Sequence, residues 1–301
     1  MISDSSARVL VDNMGWVDKG ALWLYDADTR RERLLAIDGC EYLTIRAGAD
    51  GLFRLTHHGS PEQSVSIRHV ANPQQVLASV SLEDAKRPFK GDVSLWGKVE
   101  TALIFRTGST LRLVRINADT LSILDLDLRW FKEGPYDLLY QGLVDCLTPP
   151  HANFIVVSVQ RSSKLVLLDH VDNRKCGHID LAGRGGNPSL RLKSHAELLA
   201  SDYDTMCRVD LNNATVIAKA RLQESGPSGT RSFIGDYAPA MRNTIAVARP
   251  FSGDVILVDA ATFARVGQVV VPGQPLRVAV TPDGDVITRD WKSGTVSQAR
   301  F

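Results

Sequence analysis

The sequence predicts an all-β fold. Three observations predict it: one hairpin phrase recurs along the 301 residues, apolar and polar residues alternate on its arms, and no helical periodicity runs longer than a turn or two. The phrase is clearest in SGDVILVDAATFARVGQVVV (252–271), where an alternating strand ends in Asp259, a polar turn follows, and a second alternating strand runs to Val271.

Taken in chain order, the copies are KGALWLYDADTRRERLLAI (19–37), QSVSIRHVANPQQVLASVSL (63–82), STLRLVRINADTLSILDLDL (109–128), SKLVLLDHVDNRKCGHIDL (163–181) and DTMCRVDLNNATVIAKARL (204–222). Then come 252–271 and a truncated copy, SGTVSQARF (293–301). Asp26, Asp169, Asp210 and Asp259 stand where the first arm enters its turn, where a short carboxylate accepts backbone N–H bonds two or three residues on. Two more short strands precede each hairpin, as in EYLTIRAGADGLFRLTHH (41–58), HANFIVVSVQRSS (151–163) and NTIAVARPFS (243–252). Seven units of four short antiparallel strands, spaced by roughly 40 to 50 residues, are the signature of a seven-bladed β-propeller. A pair of sandwiches would not repeat one hairpin seven times. The expectation is a single propeller domain over 1–301 that begins at the second strand of its first blade (8–13) and ends at the third strand of its last (295–301).

The segment 258–298, VDAATFARVGQVVVPGQPLRVAVTPDGDVITRDWKSGTVSQ, resembles the YVTN-type propeller repeat. The resemblance lies in Val258-Asp259-Ala260-Ala261-Thr262, Gly273-Gln274-Pro275, Ala279-Val280-Thr281-Pro282-Asp283-Gly284 and Ser293-Gly294-Thr295-Val296. It is specific over about 45 residues and continues as pattern alone elsewhere. It implies a seven-bladed fold related to the quinoprotein amine dehydrogenases. Members serve as quinoprotein-like enzymes, as lactonases and very often as binding scaffolds, so the fold alone does not choose among them.

Composition narrows the field. The 44% apolar and 23% charged content is that of a globular chain with a sizeable core. Basic and acidic residues nearly cancel, 35 against 34, which argues against nucleic acid as the main partner. No apolar run approaches the length of a membrane helix, and MISDSSARVLVDN lacks the layout of a secretory signal, so the expected place is the cytoplasm. Cys40, Cys146, Cys176 and Cys207 are scattered and have no metal-type spacing, which suits free buried thiols.

Propeller topology sorts the polar residues by face. The turns between first and second strands, and between third and fourth, lie on one face and collect most of the aspartates, including Asp283 and Asp285. The opposite face carries the second-to-third-strand turns and the links between blades. There Arg106, Arg161, Arg249 and Arg289 stand at comparable places in LIFR, SVQR, AVAR and VITR. Arginine presents a fixed fork for carboxylate or phosphate, so four on one rim would attract an anion. Alternatively each pairs with a neighbouring acid such as Asp202, Asp254 or Asp290 and ties blades together. Two links are long: RWFKEGPYDLLYQG (129–142), with Trp130 and Tyr136, and QESGPSGTRSFIGD (223–236), with Phe233. Aromatics on such loops are candidate anchors for a partner.

Chemistry leaves fewer marks. No zinc, nucleophile-elbow, phosphate-loop or dinucleotide motif is present, and no metal or cofactor is expected. AGRGGNP (182–188) joins two blades and opens no helix, so it reads as a linker. The expected function is a non-catalytic scaffold that binds a protein partner or an anionic ligand on the arginine-bearing face. The alternative is a cytosolic lactonase in which His57 or His58 acts as general base beside the arginines.

Overall fold

The described elements are strands, and no helix is found among the described residues. The structure is a computed structural model that describes residues 2–3, 8–11, 22–35, 40–47, 53–59, 64–69, 72–83, 94–99, 102–117, 119–127, 143–149, 152–159, 161–169, 171, 176–183, 189–222 and 233–301. No helix among these is long and apolar enough to cross a membrane.

The described strands form seven sheets, each laid down in sequence order. The first holds β1 (Ile2–Ser3), β2 (Arg8–Val11), β3 (Leu22–Asp26) and β4 (Arg31–Leu35). The second holds β5 (Cys40–Ala47), β6 (Phe53–Gly59), β7 (Ser64–His69) and β8 (Asn72–Ser81). The third holds β9 (Ser94–Val99), β10 (Ala102–Thr107), β11 (Thr110–Asn117) and β12 (Thr120–Asp127). The fourth holds β13 (Leu143–Leu147), β14 (Phe154–Val159), β15 (Lys164–Asp169) and β16 (Cys176–Asp180). The fifth holds β17 (Ser189–Leu192), β18 (Glu197–Asp202), β19 (Thr205–Asp210) and β20 (Thr215–Arg221). The sixth holds β21 (Tyr237–Ala240), β22 (Thr244–Arg249), β23 (Asp254–Asp259) and β24 (Arg265–Val270). The seventh has three strands, β25 (Pro275–Val280), β26 (Asp285–Asp290) and β27 (Val296–Arg300). Within each sheet we letter the strands a to d.

The ends of the chain differ in part from expectation. The first sheet begins with its own strand a, because Ile2 and Ser3 pair with Leu10 and Val9. The seventh ends at strand c, as expected. The chain divides into two compact units, one of residues 1–62, 66–77 and 221–301 and the other of residues 63–65 and 78–220.

Burial follows strand position. In β14, β18, β22 and β26, all b strands, five consecutive residues are buried after a half-buried first one. Both faces of these strands are therefore covered, and their buried positions include polar residues such as Ser158, Asp202, Arg249 and Arg289 as well as apolar ones. Strand d behaves differently: along β20 exposure alternates residue by residue. In the second unit, Leu147, Val156 and Leu165 of the fourth sheet pack with Leu190, Leu198 and Val209 of the fifth. In the first unit, Ala246, Ala248 and Val255 of the sixth sheet pack with Val278 and Val286 of the seventh. Each valine or leucine so buried contributes roughly 1.5–3 kcal/mol.

Two buried aspartates join inner strands of adjacent sheets. Asp145 accepts the N–H of Cys146 and, with its other oxygen at 2.9 Å, that of Leu190 in β17. Asp236 does the same for Tyr237 and, at 3.4 Å, for Val278 in β25. A carboxylate is affordable at these buried positions because each oxygen has a backbone donor.

At the c–d turns the expected chemistry is present. Asp26 accepts from Thr29 N, Asp169 from Val171 N, Asp210 from Asn212 N and Asp259 from Ala261 N and Thr262 N. The Asn213 amide and the Asn212 N–H lower the Asp210 carboxyl below its ordinary value. These carboxylates shape their own hairpins.

Candidate functional site

The b–c ends of the sixth and seventh sheets bring an ion pair, a multiply bonded carboxylate and aromatic rings together. Their turns have one plan: Arg249 pairs with Asp254 across the first, and Asp290 N donates to Thr295 O across the second. Gly253 and Gly294 then occupy the same place, with φ of 68° and 72°, where a side chain would be strained. In this register Arg249 corresponds to Asp290, and Arg289 lies one residue earlier. Consecutive strand residues point to opposite faces. The arginines therefore do not share one position around a rim.

Each of the four has its own surroundings. Arg249, 7% exposed, forms a two-pronged ion pair with Asp254: Nε donates to Oδ1 at 2.8 Å and Nη2 to Oδ2. Its Nη1 donates to Leu222 O at 3.1 Å, and Asp254 also accepts from the Gln268 amide. Arg289 is buried at 2% exposure. Arg106 is half-buried and donates through Nε to Gly108 O at 3.0 Å. Arg161 is exposed, in the turn after β14 with φ of 57°. Pairing with a neighbouring acid is thus found at Arg249, but it joins β22 and β23 of one sheet rather than two blades.

Asp290 is a second local anchor. Its Oδ1 accepts from Lys292 N, Ser293 N and the Ser293 hydroxyl, and its Oδ2 from Gln274 N. Burial pushes its carboxyl up, but these donors together hold it below its ordinary value. Gly273, with φ of 75°, makes the approach possible: a Cβ there would lie 2.3 Å from Asp290 Oδ2. The fifth sheet repeats this at Gly183, where a Cβ would lie 1.9 Å from Oδ2 of Asp202 at the end of β18. Asp283 and Asp285 lie at the other end of β26, where Gly284 N donates to Thr281 O and Asp285 accepts from Gln298 and Arg300. The aspartates of 281–294 therefore do not converge.

Beside these anchors lies an aromatic cluster. Phe251 in the sixth sheet's b–c turn, Trp291 in the seventh sheet's, and Phe233 ahead of β21 meet edge to face. Their ring centroids are 5.4, 5.5 and 6.1 Å apart and their planes cross at 78–83°. Phe251 is 45% exposed, and Phe233 and Trp291 are half-buried. Two residues after Phe233, the chain packs so closely that a Cβ on Gly235 would meet Pro250 Cγ at 2.9 Å and Leu276 O at 2.8 Å. Such edge-to-face pairs add about 0.5–1.5 kcal/mol beyond burial.

Sequence reasoning named Phe233 but not Phe251 or Trp291. A signal existed: an aromatic stands two residues after arginine in both ARPF and TRDW. Trp130 and Tyr136 lie outside the described residues. His57 and His58 pair with Leu43 and Tyr42 along β6, and their side chains lie outside the described residues. Among the described residues no group of three His, Cys, Asp or Glu side chains is placed to hold a metal. Burial raises the Cys207 thiol to about 11, and burial together with Asp145 raises Cys146 well above its ordinary value, so neither is a ready nucleophile.

No protein-family description matches the sequence, and no curated protein matches it significantly. Solved structures do. The Cps50 (Swd1) β-propeller domain of Myceliophteria thermophila is similar with a TM-score of 0.63 at 14% identity, covering 99% of this chain and 98% of that one. A chain of the mitotic checkpoint complex reaches 0.59 at 9% identity, over 100% and 86%. The RRP9 WD40 repeats reach 0.57 at 12% identity, over 89% and 80%. The fold is a β-propeller.

Proposed function

We propose that this chain is a non-catalytic, seven-bladed scaffold of YVTN-like type, forming one domain over 1–301, that binds a protein partner on its b–c and d–a loop ends. The observation that carries the reading is the cluster of Phe233, Phe251 and Trp291: partly exposed aromatics beside carboxylates already bonded within the fold. Aromatics in this setting are typical centres of protein interfaces. WD40 neighbours, one of them from the mitotic checkpoint complex, support a role in protein assembly. Commitment of Arg249 to Asp254 favours a protein partner over an anionic small molecule, since that guanidinium is already matched. Exposed Arg161, half-buried Arg106, and Trp130 and Tyr136 by sequence position belong to the same set of loop ends in this reading.

The test is capture of partners from native lysate by the wild-type chain and by Phe251→Ser and Trp291→Ser variants. Loss of the same bound proteins from both variants is expected. A lactone-hydrolysis panel run in parallel addresses the catalytic alternative: turnover abolished by substituting His57 and His58 together would overturn the scaffold reading.

A further inference from the structure

Charge is sorted by depth at the end of the sixth and seventh sheets that carries the aromatic cluster. That end is built from residues 233–236, 249–254, 271–274 and 290–295. Its three carboxylates, Asp236, Asp254 and Asp290, are all buried. Each is also bonded within the fold. Asp236 accepts two backbone N–H groups, and Asp254 accepts the Arg249 fork and the Gln268 amide. Asp290 accepts three backbone N–H groups and the Ser293 hydroxyl. Arg249 is buried against Asp254. Of the charged residues in these segments only Lys292 is exposed, and it makes no ion pair among the described residues.

Lys292 stands on a fixed backbone beside the rings. Its N–H donates to Asp290 Oδ1 at 3.0 Å, and Trp291 N donates to Gln274 O at 2.8 Å. The Trp291 ring in turn meets Phe233 and Phe251. A solvent-facing cation is thus held one residue from a partly exposed aromatic patch, while the nearby carboxylates face inward.

We propose that the guest on this patch is an acidic segment of a partner protein. An apolar residue of the segment seats on Phe251 and Trp291, and a neighbouring Asp or Glu pairs with Lys292. This rests on the reading of the aromatic cluster as a docking surface and adds the chemistry of what docks. Complementarity sets the sign. An Asp or Glu beside the anchor meets Lys292 and no exposed carboxylate from these segments. A Lys or Arg in the same place meets a like charge, because the carboxylates that would attract it are turned to donors of the fold. Deeper groups act in the same direction. Arg277 and Arg289 stand directly opposite each other in β25 and β26. With Arg249 and Lys292 they set four cations against three carboxylates at this end.

A peptide fits this surface better than a polyanion. The whole chain is nearly neutral, 35 basic against 34 acidic residues, so no long-range field draws in a phosphate backbone. One exposed lysine beside aromatic rings suits one carboxylate next to one apolar anchor. The two parts then do different work. Aromatic anchors at interface centres supply most of the affinity, whereas an exposed ion pair changes it only a few-fold. Loss of the rings should therefore abolish binding, and loss of Lys292 should change which sequences bind.

The probe is a display library of random dodecapeptides, panned against the whole chain and counter-panned against its Trp291→Ser variant. Sequences retained by the wild type alone are expected to be enriched in Asp and Glu beside an aromatic or aliphatic residue. A dye-labelled synthetic copy of the most enriched sequence is then titrated by fluorescence anisotropy. Lys292→Gln should weaken its binding ~2–5-fold and Lys292→Glu ~5–10-fold, with the melting transition retained and both losses shrinking as salt is raised. Panning against Lys292→Glu should reverse the preference and select Lys and Arg beside the same apolar anchor. The two ways of failing are distinct. Trp291-dependent sequences without acidic enrichment, or acidic ones indifferent to Lys292→Glu, overturn the proposed guest and leave the docking surface standing. The absence of any Trp291-dependent sequence overturns the docking surface and the proposed guest together.

Discussion

The two ends of the same hairpins use carboxylates differently. At the c–d end, Asp26, Asp169, Asp210 and Asp259 each bond donors within three residues, so four hairpins share one solution. At the b–c end, Asp254 faces an arginine, Asp290 reaches back to Gln274, and Asp202 abuts Gly183. The first end builds a hairpin. The second joins separate segments and gives each sheet a different surface. Repetition therefore marks structure in this chain, and departure from it marks the candidate site.

Substitutions can break this contrast. Arg249→Met should have the largest effect, a loss of about 3–5 kcal/mol in urea unfolding, because it leaves Asp254 buried and charged. Adding Asp254→Leu should restore most of that loss, and a double variant as unstable as the single one would show that the pair is not its source. Gly273→Ala follows at about 1–3 kcal/mol, since it combines a left-handed backbone with a Cβ against Asp290. Asp290→Asn tests the carboxylate itself. Its folded value is held low, so its stabilisation is present above the unfolded value near 4 and is lost as pH falls through the folded one. The variant should lose about 1–2 kcal/mol at neutral pH and show a shallower fall in stability below about pH 4. Asp259→Ala should cost only about 1 kcal/mol and leave the b–c surface unchanged by nuclear magnetic resonance shifts. Phe251→Ser should be smallest in stability, within about 1 kcal/mol, because the ring is already 45% exposed.

What was legible in the sequence follows the same division. The hairpins and their aspartates could be read because a turn is decided by residues two or three apart, as Asp259 and Thr262 show. The exchange of turns in 281–294 was equally local. The b–c end was legible only as a list of residues. AVAR and VITR align by eye, yet the shared turn plan moves Arg289 one place along the strand and so onto the other face. The aromatic cluster unites positions 233, 251 and 291, and Gly235 matters because of Pro250 and Leu276. No local window contains such contacts. The short β1 escaped notice because two residues give no periodicity.

The most direct measurement is site-specific photocrosslinking in native cells, with a photoreactive phenylalanine analogue in place of Phe251 and, separately, of Val171. Val171 is the exposed counterpart at a c–d turn, 69% accessible. The scaffold account predicts discrete protein adducts from position 251 that Trp291→Ser removes, and none of these from position 171. The same adducts from both positions, or none from 251, would contradict it.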